Sequence, residues 1–186
     1  MDNGACSYRR FRDENDESGL VEIIRDYKDG LVFYLNGIVG NILVAEELAE
    51  DTFVLLGTKK PKDKGKSSFK TWLYTIGRNV AIDYLRKSSR KRQISAESLA
   101  ELGSEADELE RSYIKKEQKI VLYHSMQKLN PLYRQVLWLT YFEGLSNKEV
   151  AQILKKSNHN IETLLYRAKK SLKSILETEG FCYEEL

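Results

Sequence analysis

The sequence predicts an all-α protein: two small helical domains joined by a flexible acidic linker, the second containing a helix-turn-helix. Three observations lead there. Apolar residues recur at three- and four-residue intervals through most of the 186 residues, which is helical spacing. Only two Pro and eleven Gly occur, and clean alternation of β-branched residues is absent, so long helices are permitted and strands are not indicated. Between two periodic halves, Ile94 to about Arg111 is rich in Ser, Ala, Glu and Gly and poor in bulky apolar residues, as linkers are. The expected organisation is a disordered lead over 1–19, a helical domain over 20–93, the linker over 94–112, a second helical domain over 113–177 and a tail over 178–186.

In the first half, helical spacing begins near Leu20 and continues through Val21, Ile24, Tyr27, Leu31 and Leu35, with Gly30, Gly37 and Gly40 weakening it or marking breaks. From Asn41 to Leu56 the faces divide. Val44, Ala45, Leu48, Ala49, Phe53 and Leu56 are apolar, and Glu46, Glu47, Glu50 and Asp51 form two i,i+4 acidic pairs. That acidic face is either ordinary solvated surface or a dock for a basic partner. Gly57 to Ser68, GTKKPKDKGKSS, is a loop with five lysines. It feeds FKTWLYTIGRNVAIDYLRKSSRKR, Phe69 to Arg92. Leu73, Ile76, Val80 and Tyr84 give this stretch an apolar stripe, no Pro interrupts it, and its outer face is cationic and aromatic.

The second half resumes around Ser112, with Ile114, Ile120, Val121 and Tyr123 or His124 inward. Asn130-Pro131 is a cap followed by Pro at the first helical position. Val136, Leu137, Thr140 and Tyr141 carry that helix, and Gly144 suits its end. Ser146 to Glu149 is a capping box opening a short amphipathic helix with Val150, Ala151, Ile153 and Leu154. Lys155 to Ser157 turns the chain, and Ser157 caps a last helix holding Ile161, Leu164, Leu165, Ala168, Leu172 and Ile175. A short helix, a tight turn and a second helix with exposed basic residues make a helix-turn-helix.

The net charge of +2 conceals segregation. Residues 1–57 carry 5 basic and 12 acidic side chains, net −7, whereas residues 58–92 carry 12 basic and 2 acidic, net +10. Residues 93–112 are net −5 and residues 155–173 net +5. Two basic segments separated by an acidic one suit two contacts with a polyanion, or else a patchwork of solvated faces. Cys6 and Cys182, near opposite ends, make no disulfide framework, and with two histidines no metal-ligand spacing exists. A reducing cytoplasm fits. The first twenty residues lack the apolar core of a signal peptide, and no run of about 18 apolar residues is present to span a membrane.

No catalytic constellation is present: no glycine-rich phosphate loop, nucleophile elbow or His-Glu-x-x-His. Asp83, close to Arg86 and Lys87, reads as a salt-bridging residue. No cofactor is implied. Nucleic-acid binding has more content. Lysines and arginines neutralise phosphates, Arg78 and Asn79 can bond base edges, and aromatics stack on unpaired bases. Phe69, Trp72 and Tyr74 stand at the entrance of the basic helix, where a strand with bases pulled out could meet them. Phe69 and Tyr74 are expected to be half-exposed, and Trp72 is equally compatible with core and surface. The last helix presents Asn158, His159, Asn160, Glu162, Thr163, Tyr166, Arg167, Lys169 and Lys170 away from its stripe, its first residues toward bases and its later ones toward phosphates.

Here the residues resemble a family. FKTWLYTIGRNVAIDYLRK looks like the second conserved region of bacterial RNA polymerase sigma factors, in particular the small extracytoplasmic-function group of the sigma-70 family. LNPLYRQVLWLTYFEGLSNKEVAQIL and IETLLYRAKKSLK look like the fourth conserved region. With VAEELAEDTF, the similarity covers about Ile23–Arg92 and Glu117–Leu176. Each motif alone is moderately specific, but both in this order with a short linker are highly specific.

The resemblance implies that Glu46, Glu47, Glu50, Asp51 and Phe53 dock on core RNA polymerase. It implies that Lys66, Phe69, Lys70, Trp72, Tyr74, Arg78, Asn79, Asp83, Arg86 and Lys87 bind and open the −10 element of promoter DNA. The last helix would read the −35 element, and the acidic linker would thread near the RNA exit path. Partners of this group include an anti-sigma factor, often membrane-bound. The chain departs from the pattern at Val44, Glu50, Lys155, Lys156 and Leu164. Lys155 stands where a turn Gly is usual and carries left-handed strain. A free-standing helix-turn-helix regulator is the competing reading, distinguished by tight DNA binding without polymerase. A polybasic membrane-surface protein is a third, distinguished by binding anionic vesicles.

Overall fold

A computed structural model describes residues 3–92 and 117–179. The described residues form helices joined by turns and loops, with no strand among them. The first half holds α1 (Asn3–Glu14), α2 (Glu17–Val39), α3 (Ile42–Lys59) and α4 (Phe69–Arg92). The second half holds α5 (Glu117–Gln127), α6 (Pro131–Leu137) running into a π-helical turn (Trp138–Phe142), α7 (Asn147–Leu154) and α8 (Asn158–Thr178). None of the described helices is long and apolar enough to cross a membrane.

The helix starts follow from their caps. The side chains of Asp16, Asn41, Asn130, Ser146 and Ser157 each accept a backbone N–H of the first turn they precede, satisfying donors that no carbonyl can reach. Ser68 does the same for α4, its Oγ accepting from the Thr71 N–H at 3.3 Å. The Ser146–Glu149 capping box is complete in both directions. Gly30 and Gly37 do not interrupt α2, because the helix is held by buried residues on both sides of each, from Ile23 through Leu31, Val32, Leu35 and Ile38. The α7 helix stops at Lys155, whose φ of 54° is the left-handed conformation expected for that turn.

One expectation is corrected. The disordered lead contains a folded helix. In α1, Gly4, Ser7, Tyr8 and Phe11 share one face and are buried against α2 and α4. Tyr8 donates its hydroxyl to the Pro61 carbonyl at 2.7 Å, and Ser7 donates to Glu22 at 2.6 Å. This face carries only two large apolar residues, too few for a periodic signal, yet the aromatic rings bury enough area to order a short helix.

How the two halves sit together, which the sequence leaves open, is seen in the core. The buried residues of both halves form one continuous hydrophobic core, from Tyr8 and Leu31 through Leu73 to Leu139, Val150 and Ile161. Phe33 of α2 packs on Trp138 and Tyr123 with ring centroids 4.9 and 5.3 Å apart, and Asn36 donates to the Tyr123 hydroxyl. The α7 helix lies along α4, and α6 against α2. The expected linker over 94–112 lies outside the described residues, as does the tail beyond Glu179.

Candidate nucleic-acid interface

Three surfaces carry the residues singled out in the sequence. The first is the acidic side of α3. Its apolar stripe faces α2 and α4, which turns Glu47, Glu50 and Asp51 out to solvent. Glu46 is half-buried, its carboxylate 3.1 Å from Lys28 Nζ, with Glu50 3.8 Å from the same ammonium. One lysine thus offsets the like-charge repulsion that this spacing creates. Phe53 is not on this surface. It is buried in the core, because it shares the inward stripe with Ala45, Ala49 and Leu56. Val54 (58% exposed) is a large apolar side chain that α3 presents to solvent, and Val21 (64% exposed), counted in the apolar spacing of the first half, faces solvent from α2. The only signal for Val54 was its place one turn beyond Glu50 and Asp51.

The second surface is α4. Lys66, Asn79, Asp83, Arg86 and Lys87 are exposed, while Lys70, Trp72 and Arg78 are half-buried. Asp83 accepts from Arg86 at 3.3 Å, the local salt bridge expected of it. Phe69 and Tyr74 were expected half-exposed and are instead core residues, at 0% and 1% exposure. The cause is α1. Tyr8 lies 5.6 Å from Phe69 and 5.1 Å from Trp72, centroid to centroid, and closes the aromatic cluster from outside. Tyr74 packs on Tyr34 at 5.4 Å, and burial pushes its phenol well above the usual range, with the Glu143 carboxylate adding to the shift. Trp72 keeps one side open.

The second half rests on this same helix. Lys70 Nζ lies 2.7 Å from Glu143 Oε2 and donates to the Glu143 carbonyl at 2.9 Å. Glu149 Oε1 accepts from Ser68 Oγ at 2.9 Å and from Thr71 Oγ1 at 3.1 Å, beside the positive end of the α4 dipole. Burial raises the Glu149 carboxyl, but the bonds from Ser146, Ser68 and Thr71 outweigh it and hold the group below the usual range. Lys155 donates to Asn79 Oδ1 at 3.4 Å. Sequence periodicity gave no sign that Glu143 and Glu149 meet α4, since the pairing joins residues more than seventy positions apart.

The third surface is α8. Asn158, His159, Asn160, Glu162, Tyr166, Arg167, Lys169 and Lys170 are exposed and Thr163 is half-buried, as the stripe of Ile161, Leu165 and Ala168 requires. Asn158 donates to Glu162 at 3.3 Å, and Thr163 bonds back to the His159 carbonyl. Tyr166 is 71% exposed, and Lys169 Nζ lies 5.3 Å over the Tyr141 ring. No group of His, Cys, Asp and Glu side chains fit to hold a metal occurs among the described residues.

Comparison with known proteins matches these surfaces to a family in two places. Residues 23–91 match the family model of sigma-70 region 2, and residues 119–172 that of sigma-70 region 4. The extracytoplasmic-function RNA polymerase sigma factor SigM of Bacillus subtilis (strain 168) is 30% identical over 156 residues, covering 84% of this chain and 94% of that one. The sigma factor BldN of Streptomyces coelicolor is 25% identical over 192 residues, covering 93% and 72%. Among solved structures, the sigma factor RpoE in complex with the anti-sigma factor NepR from Bartonella quintana aligns with a TM-score of 0.66 at 22% identity, over 84% of this chain and 95% of that one. CnrH in complex with the cytosolic domain of CnrY aligns at 0.61 and 20% identity, over 95% and 96%. At those identities the two structures attest the fold.

Proposed function

The chain belongs to the extracytoplasmic-function group of sigma-70 RNA polymerase sigma factors, which direct promoter recognition, and on that premise we propose how its residues divide the work. The acidic side of α3, with Glu46, Glu47, Glu50 and Asp51, docks on a basic surface of core polymerase. Glu47, Glu50 and Asp51 face solvent on one side of one helix, as steering toward a cationic partner needs. Phe53 supports that side from beneath.

In the loop before α4, Lys66, and on α4, Lys70, Trp72, Arg78, Asn79, Asp83, Arg86 and Lys87 serve the −10 element. The lysines and Arg86 take phosphates, Arg78 and Asn79 take base edges, and Trp72 offers its open side to an unpaired base. Phe69 and Tyr74 act as scaffold beneath them. The α7–turn–α8 unit is a helix-turn-helix that reads the −35 element through Asn158 to Thr163, with Arg167, Lys169 and Lys170 on the flanking phosphates. An anti-sigma factor is a fitting partner, since the aligned RpoE is held by one.

The observation that carries this reading is the conjunction of an outward acidic side on α3 with outward basic residues on α4 and α8. Run-off transcription with core polymerase on a randomised promoter library tests it. Initiation from promoters sharing two spaced elements is expected. Tight, specific DNA binding by the chain alone, with no initiation from any member, would instead mark a free-standing regulator.

A further inference from the structure

Glu143 is an enclosed carboxylate between the two halves, with 8% of its side chain exposed. It ends the π-helical turn, its N–H bonded to the Trp138 carbonyl at 3.1 Å, and Gly144 at φ 67° turns the chain away behind it. Four groups surround the carboxylate. Lys70 Nζ stands 2.7 Å from Oε2, Trp138 Nε1 donates to Oε1 at 3.1 Å, and the Tyr74 hydroxyl stands beside the same carboxylate oxygen over Gly30. The fourth is a bare spot on α2: a Cβ on Gly30 would run into both Glu143 Oε1 and Tyr74 Oη. Of these, Lys70, Tyr74 and Gly30 belong to the first half. They form a cradle for a compact anion with a cation, a hydroxyl donor and room made by a missing side chain.

We propose that this cradle is a phosphate site for single-stranded DNA and that Glu143 is an intramolecular mimic of that phosphate, latching the second half over it until the strand displaces it. The inference rests on the reading of α4 as the −10 surface. Glu149 reinforces the latch by occupying the start of α4, where a second anion would sit favourably.

The test uses the full chain without polymerase and a fluorescein-labelled oligothymidylate of about twelve nucleotides, because a phosphate cradle is indifferent to base sequence. In anisotropy titrations, Glu143→Gln should bind the strand at least about tenfold more tightly than wild type, since one charged competitor has been removed. Equal affinity, with helical content retained by circular dichroism, overturns the latch. Should Glu143→Gln lose helical content, the Trp138 fluorescence of a Trp72→Phe chain decides. Saturating strand should shift it by freeing the indole from Glu143, and binding without a shift overturns the latch.

Run-off transcription with wild-type chain separates the two levels. Initiation together with no gain for Glu143→Gln removes the latch and leaves the promoter role. A gain without initiation keeps the cradle as an anion site and removes the promoter role.

Discussion

Single residues carry local costs that can be read directly. Lys155 holds a φ of 54° where α7 ends, a conformation that costs a side-chain-bearing residue about 1–2 kcal/mol and a glycine almost nothing. Lys155→Gly should therefore raise the unfolding free energy by about 1 kcal/mol, and an unchanged or lower midpoint in urea would contradict the strain. Glu149 works differently. It closes the capping box and spans to Ser68 and Thr71. Glu149→Ala should cost roughly 0.5–2 kcal/mol at pH 7, in the range of a lost helix cap. Because its folded carboxyl is held below the usual value, this stabilisation is present above about pH 4.3 and is lost as pH falls through the lowered value. The gap in melting temperature between the two proteins should narrow in acid, and a gap that widens would refute the assignment.

At the scale of helices, α3 and α4 each separate support from contact. Phe53→Ala should destabilise by roughly 3–5 kcal/mol, while Glu47→Lys with Asp51→Lys should leave stability within about 0.5 kcal/mol and weaken polymerase binding. Thermal melts and a polymerase pull-down compare them, and unchanged polymerase affinity for the lysine pair would count against the α3 dock. The α1 helix makes a parallel case. Tyr8→Ala should cost roughly 3–5 kcal/mol by uncovering Phe69 and Trp72, and a loss under about 1 kcal/mol would show that α1 is not part of the fold. These helices also show what was legible in the sequence. Asn41, Asn130-Pro131, the Ser146–Glu149 box and Ser157 announced their helix starts by local chemistry, and α4 was visible along its whole length. The orientation of Phe69 and Tyr74 was not. A helical stripe tells which residues are apolar, but not what covers them: Phe69 is closed over by α1, whose signal was too faint to be expected, and Tyr74 by Tyr34 and the distant Glu143.

For the whole molecule, the unread fact was that the halves share a core. Composition marked a linker, and a linker suggests independence, but Phe33 against Trp138 and Asn36 against Tyr123 are long-range contacts with no local signature. A shared core predicts a single calorimetric transition for the free chain, with matching calorimetric and van't Hoff enthalpies. Removing both interfacial carboxylates, Glu143→Gln with Glu149→Ala, should split it in two. Two transitions in the wild-type chain would mean that the halves fold apart.

The order of the halves along the chain has a consequence for synthesis. The ribosome delivers α1 to α4 first, and Glu143 emerges only after some fifty more residues, on the order of several seconds later. During that interval the lysines of the loop and of α4 stand uncovered within reach of ribosomal RNA. The carboxylate that neutralises Lys70 in the finished protein arrives only after the helix it pairs with, so Lys70 is without that partner while the intervening chain is made.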